Sequence, residues 1–322
     1  MNGPDIQLKT LSVVIPCHNE EAVIESSYAT LSGLLRKWVG DVISDYEIVM
    51  VNNGSTDTTM HKMWTLAAND DKVVVVDLRK NYGYQGSITA GLFHADNDMI
   101  VSIDSDLQDD PEKIHEMVIK YYEGYELVLG VRSSRDTDSF FKKHASQFFY
   151  RFSNMLGAKS VYNHGDFRLM SRRLLENLKN MNERNRFLRG MILELDSRYA
   201  CVYYERARRM AGKTKFDFYN LLGLAVDGIT SFSTKPIRLI SFLGIFMFLL
   251  SGLGLLYVLY VKLIAKVDVP GWAFTSLIIF FFGGVQSLFL GIIGEYVAKI
   301  YTEVKQRPLF NVRTVIKNGK PQ

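Results

Sequence analysis

Two long stretches without a charged residue lie near the C-terminus of this 322-residue chain and divide it into two regimes. Residues 239–261 and residues 269–294 contain no Asp, Glu, Lys or Arg, whereas the first 235 residues are mixed and polar. A helix needs about 20 apolar residues to cross the hydrocarbon core of a membrane. Helices buried in soluble proteins rarely stay uncharged over such a length. The sequence therefore predicts a soluble domain followed by two transmembrane helices.

The short link between the two stretches, residues 262–268, predicts a helical hairpin over residues 237–298, with spans at about 237–261 and 270–295. A hairpin places both of its ends on one side of the membrane. Basic residues concentrate at the outer ends (Lys235, Arg238, Lys299, Lys305, Arg307 and Arg313) rather than at the tip (Lys262 and Lys266). Such an excess marks the cytoplasmic side. We therefore expect a multi-pass protein of the inner (cytoplasmic) membrane, with the soluble domain and both termini in the cytoplasm.

Three segments complete the predicted organisation. Residues 1–215 form the soluble domain, residues 216–236 suit an amphipathic helix at the membrane surface, and residues 299–322 form a cytoplasmic tail. Residues 172–215 carry twelve Lys or Arg against five Asp or Glu, an excess that can contact anionic headgroups, phosphorylated substrate or both. No nucleic-acid recognition motif accompanies this block, so we expect no nucleic-acid partner.

Short β-rich runs alternate with helical stretches through the first half of the chain. Strands are predicted at residues 11–15, 46–51, 73–77, 99–103 and 128–131, and helices at residues 20–38, 56–69 and 85–95. This alternation is typical of an α/β domain with a mainly parallel sheet and helices on both faces. Ligands of such sheets bind at the carboxyl ends of the strands. Polar clusters at residues 16–20, 52–57 and 104–108 follow three predicted strands, so we expect them to form one site.

Asp104 and Asp106 stand one residue apart after the fourth predicted strand. The backbone at a strand end can direct both carboxylates at one hard cation, and Mg²⁺ or Mn²⁺ prefers carboxylates together with substrate phosphates. A cation held there would stabilise the negative charge of a departing diphosphate. A solvated turn is the alternative for an Asp-x-Asp pair considered alone.

Six motifs occur in order along the chain. They are VIPCHNE at residues 14–20, NNGSTD at 52–57, RKNYG at 79–83, DSDLQDDP at 104–111, GDFRL at 165–169 and RMAGKTK at 209–215. Together with the apolar hairpin, this order resembles the inverting glycosyltransferases of family 2. Within that family it is similar to the polyprenyl-phosphate glycosyltransferases, which include bactoprenol glucosyltransferases and dolichol-phosphate mannose synthases. The resemblance covers nearly the whole chain and implies the nucleotide-diphospho-sugar transferase fold called GT-A.

The resemblance also implies a role for each motif. Residues of the first four motifs would bind the nucleotide sugar: Pro16, His18, Asn19, Glu20, Asn52, Asn53, Asp57, Arg79, Gly83, Asp104 and Gln108. Later residues would bind the acceptor phosphate or the donor diphosphate: Arg132, Lys142, Ser146 and Arg209. The metal, Mg²⁺ or Mn²⁺, would be held by Asp104, Asp106 and Gln108.

Three positions depart from the family pattern. Family members commonly have one or two acidic residues where this chain has Asn52 and Asn53, and an acid there receives the N–H of the base. An asparagine carbonyl can accept the same hydrogen bond, so activity is expected while the identity of the base is less constrained. Lys142 stands where the family often has Arg and keeps the charge without the bidentate geometry.

Asp166 is the third predicted catalytic residue beside Asp104 and Asp106. In the resembling enzymes its position lies near the reacting centre and is a candidate for a base. A phosphate monoester has its second pKa near 6 and is mostly dianionic at neutral pH, so it hardly needs a base. Orientation of Arg209, of sugar hydroxyls or of the metal shell, and a salt bridge with Arg168, are the alternatives.

These inferences predict a metal-dependent membrane enzyme that moves a hexose, with glucose from UDP-glucose as the first candidate, to undecaprenyl phosphate for glycosylation of the cell envelope, such as that of O-antigen. The alternatives keep the reaction with mannose, galactose, an N-acetylated sugar or an aminoarabinose derivative, or replace it by a catalytically silent nucleotide-binding membrane scaffold. Polymer synthesis is disfavoured because the chain lacks the processive Gln-x-x-Arg-Trp signature. Resembling enzymes can assemble as homotetramers, so a homotetramer is a further expectation.

Overall fold

The computed structural model describes residues 7–133, 161, 163–184, 186–196, 198–205, 235–260 and 271–322. Three residues of the predicted phosphate-binding set, Lys142, Ser146 and Arg209, lie outside these ranges. The predicted amphipathic helix at residues 216–236 also lies almost wholly outside them.

Within these ranges the chain forms nine strands and eight helices. The strands are β1 (Leu11–Cys17), β2 (Tyr46–Asn52), β3 (Val73–Leu78), β4 (Met99–Ser102), β5 (Leu127–Arg132), β6 (His164–Ser171), β7 (Tyr199–Tyr204), β8 (Val312–Lys317) and β9 (Lys320–Pro321). The helices are α1 (Ile24–Trp38), α2 (Thr59–Asn69), α3 (Gly83–His94), α4 (Lys113–Tyr122), α5 (Arg172–Asn180), α6 (Leu188–Leu195), α7 (Lys235–Tyr260) and α8 (Trp272–Lys305).

All nine described strands join one mixed sheet in the order β7-β5-β6-β4-β1-β2-β3-β8-β9. Strands β4, β1, β2 and β3 form a parallel centre, and only β6 and β8 of the described strands run against it. Helices α1, α2 and α4 pack on one face of the sheet, and α3, α5 and α6 pack on the other. The predicted α/β class with a mostly parallel sheet is therefore confirmed.

The central strands are apolar on both faces because helices cover both sides. Val13 and Ile15 of β1 point into one core layer, whereas Val14 points into the other. Residues 73–76 are four consecutive buried valines for the same reason. Strands covered on both faces lose the apolar–polar alternation of a half-exposed sheet, and β-branched side chains suit them.

The first two helices begin later than the sequence predicted, because polar residues before them form a loop pair instead. Helix α1 begins at Ile24 rather than at residue 20, and α2 begins at Thr59 rather than at residue 56. The backbone N–H of Glu20 donates to Oγ1 of Thr59, and the N–H of Thr56 donates to Oδ1 of Asn19. These bonds draw the loops after β1 and β2 together at one edge of the sheet.

The C-terminal segment, predicted only as a tail, returns to the mixed sheet. Strand β8 pairs antiparallel with β3 and covers an edge that would otherwise be open, and Ile316 is buried in the core. Helix α8 continues to Lys305, and Gln306 then takes a left-handed conformation that ends it. The end of α8 is also joined to the domain, because the Glu303 carboxylate accepts a 2.9 Å hydrogen bond from the N–H of Arg184.

One helical stretch of the described residues, Phe281–Lys305, is long and apolar enough to cross a membrane, with a mean hydropathy of 1.4. Its large apolar side chains, including Leu288, Leu290 and Ile300, are exposed. The 34 residues of α8 would extend about 50 Å, so the helix is longer than a hydrocarbon core of roughly 30 Å. The two-span hairpin and its orientation remain predictions.

Candidate active site

The polar clusters after β1 and β2 meet as the sequence predicted. Nδ1 of His18 lies 3.0 Å from the carbonyl oxygen of Asn53, and Nε2 of His18 lies 3.1 Å from the side-chain nitrogen of Asn81. Pro16 is buried in β1, two residues before this contact. The loop after β3 therefore contacts the loop after β1, which in turn contacts the loop after β2. These three loops lie together at the carboxyl edge of the sheet.

Asn52 is only 4% exposed, and both ends of its side-chain amide are bonded. Nδ2 donates a 2.7 Å hydrogen bond to Oδ1 of Asp77, and Oδ1 accepts a 3.1 Å bond from the N–H of Ser55. Asp77, at the end of β3, is a buried carboxylate that no predicted motif contains. The acid that the family commonly has on β2 is thus replaced here by an amide next to an acid on β3.

Asn53 ties the loop after β2 to the loop after β3. Its Nδ2 donates to Oδ1 of Asn81 and to the carbonyl of Gly83, and its Oδ1 accepts from the N–H of Tyr82. The neighbouring Gly54 has a φ of +62°, and a Cβ there would lie 2.5 Å from the carbonyl carbon of Lys80. Only glycine permits this close approach of the two loops.

Asp57 binds the backbone with both carboxylate oxygens. Oδ1 accepts a hydrogen bond from the N–H of Thr59, and Oδ2 accepts one from the N–H of Glu21. Burial works to raise the pKa of Asp57, but these hydrogen bonds outweigh it and lower the pKa. Asp57 therefore holds the loops after β1 and β2 together through hydrogen bonds to their backbone.

The predicted metal ligands lie in the loop directly after β4. Leu107 has a φ of 45°, and the tight turn around it places the N–H of Gln108 3.2 Å from Oδ1 of Asp106. The phenol of Tyr84 donates a 2.7 Å hydrogen bond to Oδ1 of Asp104. Gln108 is buried, whereas Asp104 and Asp106 are partly accessible. Both carboxylates are thus available at the same edge as the three loops.

Negative charge accumulates around Asp104. Burial, followed by the charges of Asp109, Asp166 and Asp106, raises the pKa of Asp104 to about 6, although the hydrogen bond from Tyr84 works against this rise. Among the described residues, no cationic side chain forms a salt bridge with Asp104. A hard carboxylate ligand that is surrounded by like charges fits a divalent cation. In the described ranges no three His, Cys, Asp or Glu side chains enclose such an ion, so phosphate oxygens and water would complete its shell.

Asp166, on β6, is held between two guanidinium groups. Arg168, 1% exposed, binds Oδ1, while Nη2 and Nε of Arg189 lie 2.7 and 3.1 Å from Oδ2. Burial alone would raise the pKa of Asp166, but Arg189 and Arg168 outweigh it and hold the pKa well below its usual range. A carboxylate that is so strongly stabilised is a poor proton acceptor. The geometry therefore favours Asp166 as the residue that orients Arg189.

Arg189 belongs to no motif that the sequence singled out. It lies in the first turn of α6, and the N–H of the preceding Leu188 donates to Oε1 of Gln85 on α3. The only signal in the sequence was its membership of the basic block at residues 172–215. Its guanidinium is partly exposed and faces the carboxylate cluster, a position suited to phosphate oxygens.

Arg132 is paired with a second buried acid. Its Nη2 lies 3.2 Å from Oδ1 of Asp109, which also accepts a 2.6 Å hydrogen bond from the phenol of Tyr204. A Cβ on Gly165 would lie 3.4 Å from Nη2, an ordinary van der Waals distance, so the guanidinium lies next to this glycine. Burial works to lower the pKa of Arg132, but Asp109 and Tyr204 raise it. Arg132 is thus a fixed cation next to the predicted metal loop.

Arg79 and Gly83 flank the loop after β3. The N–H of Arg79 donates to the carbonyl of Asn311, in the segment that leads into β8. Gly83 begins α3 with a φ of +73°, in the left-handed region that glycine adopts freely. This loop is therefore supported by the C-terminal strand on one side and by Asn53 on the other.

Several solved structures resemble this chain. The glucosyl-3-phosphoglycerate synthase from Mycobacterium tuberculosis, in a crystal with Mn²⁺, UDP-glucose and phosphoglyceric acid, aligns with a TM-score of 0.43 and 21% identity. The alignment covers 69% of this chain and 78% of that one.

Sequence relatives are much closer. The uncharacterized glycosyltransferase YkcC of Bacillus subtilis (strain 168) is 41% identical over 94% of this chain and 93% of its own length. The SfII prophage-derived bactoprenol glucosyl transferase of Shigella flexneri is 38% identical over 94% of this chain and 97% of its own length. Residues 12–179 match the family described as glycosyl transferase family 2. With its mostly parallel GT-A sheet, the chain belongs to glycosyl transferase family 2.

Proposed function

We propose that this protein transfers a glucosyl group from UDP-glucose to undecaprenyl phosphate at the cytoplasmic face of a membrane. Support for a polyprenyl-phosphate acceptor comes from relatives called bactoprenol glucosyl transferases, which are 36–38% identical over nearly the full chain. The observation that carries the proposal is the single edge of the sheet where Asp104 and Asp106 lie near the buried Asp166, which binds the partly exposed Arg189. Carboxylates for a cation and guanidinium groups for phosphates are what transfer from a diphosphate donor requires.

Asp104 and Asp106, with Gln108 beside them, would hold Mg²⁺ or Mn²⁺. When bound, the cation would stabilise the charge that develops on the departing diphosphate. The chemistry of these side chains fits a divalent cation, because Asp104 has no cationic partner among the described residues and is surrounded by like charges. Oxygens of a substrate phosphate and of water would complete the coordination, as is usual for Mg²⁺ sites.

Arg189 and Arg132 would neutralise and orient phosphate groups on either side of the carboxylate pair. Asp166 holds Arg189 through two hydrogen bonds and so fixes the plane of its guanidinium. The lipid phosphate, already mostly dianionic at neutral pH, would attack the anomeric carbon without a protein base. Attack opposite to the leaving group would give a β-linked product from an α-linked donor. Positioning and charge stabilisation would then supply most of the acceleration.

Helix α8 would place the site next to the membrane surface. Helix α8 runs without interruption from its apolar part to Lys305, and β8 follows after six residues. The catalytic sheet is thus attached to the helix by a short connection and by the Glu303–Arg184 bond. This attachment would hold the site at a set distance from lipid phosphates. A multi-pass topology and a homotetramer remain predictions.

The test is sugar transfer by purified full-length protein with radiolabelled UDP-glucose, undecaprenyl phosphate and Mn²⁺ or Mg²⁺. We expect a lipid-linked sugar and free UDP, and no product with chelator or with Asp104→Asn. A panel of mannose, galactose, N-acetylated and aminoarabinose donors tests the choice of sugar. Nucleotide binding without transfer from any donor would instead favour a catalytically silent scaffold.

A further inference from the structure

Arg313, on the strand that follows the membrane helix, contacts the ends of β3 and of the loop beyond it. Its Nη1 lies 3.3 Å from Oδ2 of Asp77, and its Nη2 donates a 3.3 Å hydrogen bond to the carbonyl of Arg79. Asp77 is 2% exposed, whereas the side chain of Arg313 is 57% exposed. A buried carboxylate is costly unless it is paired, and Arg313 supplies a charge partner.

The other oxygen of Asp77 determines how Asn52 is turned. A carboxylate only accepts hydrogen bonds, so the group of Asn52 that faces Asp77 at 2.7 Å must be the amide nitrogen. The carbonyl oxygen of Asn52 consequently points the other way, where it accepts from the N–H of Ser55. That oxygen has two lone pairs, and one remains for a ligand at the carboxyl end of β2.

The C-terminal strand also supports the second nucleotide loop. The N–H of Arg79 binds the carbonyl of Asn311, one residue before β8. Residues 81–83 of the same loop are bonded to Asn53. Both loops of the predicted nucleotide site therefore rest on contacts that lead to β8.

We propose that Arg313 is a positioning residue for nucleobase selection, acting through Asp77 on the amide of Asn52. This inference rests on the proposed function, because it requires a nucleoside diphosphate donor. With Asn52 held in this orientation, its carbonyl accepts from the N3–H of uracil. Cytosine presents an acceptor at N3, so the same oxygen repels it. Loss of Arg313 leaves the buried Asp77 without its charge partner and so favours the neutral carboxyl, which can donate as well as accept. With that neutral carboxyl, or with Asp77→Asn, the amide of Asn52 is free to rotate, and the preference for uracil then weakens.

The same strand offers a matched control. Lys317 forms an ion pair with Asp96 at the opposite end of β8, far along the strand from Asn52. Both ion pairs join β8 to the rest of the sheet, and each involves one cation of the strand. A general role in holding β8 would be shared by Lys317, whereas an effect on the base would belong to Arg313 alone.

The experiment measures UDP and CDP affinities of the full-length protein by calorimetry. It compares wild type with Arg313→Met, Arg313→Lys, Asp77→Asn and Lys317→Met, and thermal unfolding is recorded for each. One neutral hydrogen bond corresponds to about tenfold in affinity, so we expect wild type to favour UDP by roughly this factor. Arg313→Met and Asp77→Asn should remove most of this preference, Arg313→Lys should restore part of it, and Lys317→Met should leave it unchanged.

Two results would overturn the inference, and they are distinguishable from each other. If wild type prefers UDP and Arg313→Met retains that preference, or if Lys317→Met lowers it equally, Arg313 has no special role in the site. If wild type binds neither UDP nor CDP, the proposed function fails and the inference fails with it. Arg313→Met removes no buried side chain, so it remains informative even if Asp77→Asn does not fold.

Discussion

The phenol of Tyr84 donates a 2.7 Å hydrogen bond to Oδ1 of Asp104, and this bond links the start of α3 to the loop after β4. Burial and the charge of Asp109 raise the pKa of Asp104 to about 6, while the Tyr84 bond works in the opposite direction. The tyrosine therefore helps to keep Asp104 ionised near neutral pH, which is the form that binds a cation.

Tyr84→Phe should weaken binding of Mn²⁺ more at pH 6 than at pH 8. Without the phenol the pKa of Asp104 rises further, so protons compete with the cation at pH 6 but no longer at pH 8. We expect a loss of about three- to tenfold at pH 6, within the range of one typical hydrogen bond. Titration of Mn²⁺ in the presence of UDP, followed by electron paramagnetic resonance, measures this loss of affinity. An equal loss at both pH values would show that Tyr84 acts in another way.

Asp104→Asn should abolish transfer and yet stabilise the protein in the absence of metal. The folded-state pKa is raised, so the folded protein keeps a proton at pH values where the unfolded chain has lost it. The free energy of unfolding therefore falls as pH rises from about 4 to above 6, and Asn removes this fall. At pH 8 we expect a gain of about 1–3 kcal/mol in urea unfolding. Asp71→Asn, on an exposed loop, is the control and should change little.

Asp166→Asn should be strongly destabilising, because it leaves the buried Arg168 without its charge partner. Removal of one member of a buried pair costs about 3–5 kcal/mol. Arg189→Met leaves the Arg168–Asp166 pair intact, so it should cost much less stability while transfer falls by at least about tenfold. Denaturant unfolding and initial rates separate the two effects. Full transfer by Arg189→Met would exclude a phosphate-binding role.

His164 should make the fold sensitive to mild acid. Burial, followed by the charge of Arg168, lowers the pKa of His164 well below its ordinary value, and its buried Nε2 has no hydrogen-bond partner among the described residues. The unfolded chain binds a proton near pH 6.5 that the folded protein does not take up, so stability falls as pH drops below about 6.5, by up to roughly 1.4 kcal/mol per pH unit.

His164→Leu should reduce the fall in the free energy of unfolding between pH 7 and pH 5. The measurement is urea unfolding between pH 7 and 5 in an Asp104→Asn background, because Asp104 has the opposite pH dependence over that range. If the double variant with His164→Leu and Asp104→Asn loses as much stability between pH 7 and pH 5 as Asp104→Asn alone, another group is responsible.

Removal of residues 312–322 should destabilise the catalytic domain although it leaves both long helices in place. The truncation deletes β8, exposes the edge of β3 and removes the buried Ile316. Loss of one such buried side chain alone costs about 2–5 kcal/mol, and an open edge strand promotes aggregation. Thermal unfolding and light scattering measure both effects. Deletion of residues 236–322 would therefore test the anchor and the sheet together, whereas a change confined to the apolar helices tests the anchor.

Much of the fold could be predicted from the sequence. Runs such as the four valines at residues 73–76 predict buried strands, and the polar residues that follow each run mark the carboxyl edge where a ligand site forms. The position of Asp104 and Asp106 after β4 followed from the same pattern. The starts of α1 and α2 were placed too early, because Glu20, Thr56 and Thr58 bind the neighbouring loop instead of beginning a helix.

The sequence by itself determined five of the nine described strands, which stretches are apolar enough for a membrane and where carboxylates follow a strand, because these depend on local periodicity and composition. Only the tertiary structure decided that Asp77 binds Asn52, that Arg189 binds Asp166 and that β8 closes the sheet beside β3. Each of these is a contact between distant parts of the chain. Local pattern specifies the face and the edge on which a side chain lies, whereas its partner is chosen by strand order and by the charge that must be balanced when the chain is packed.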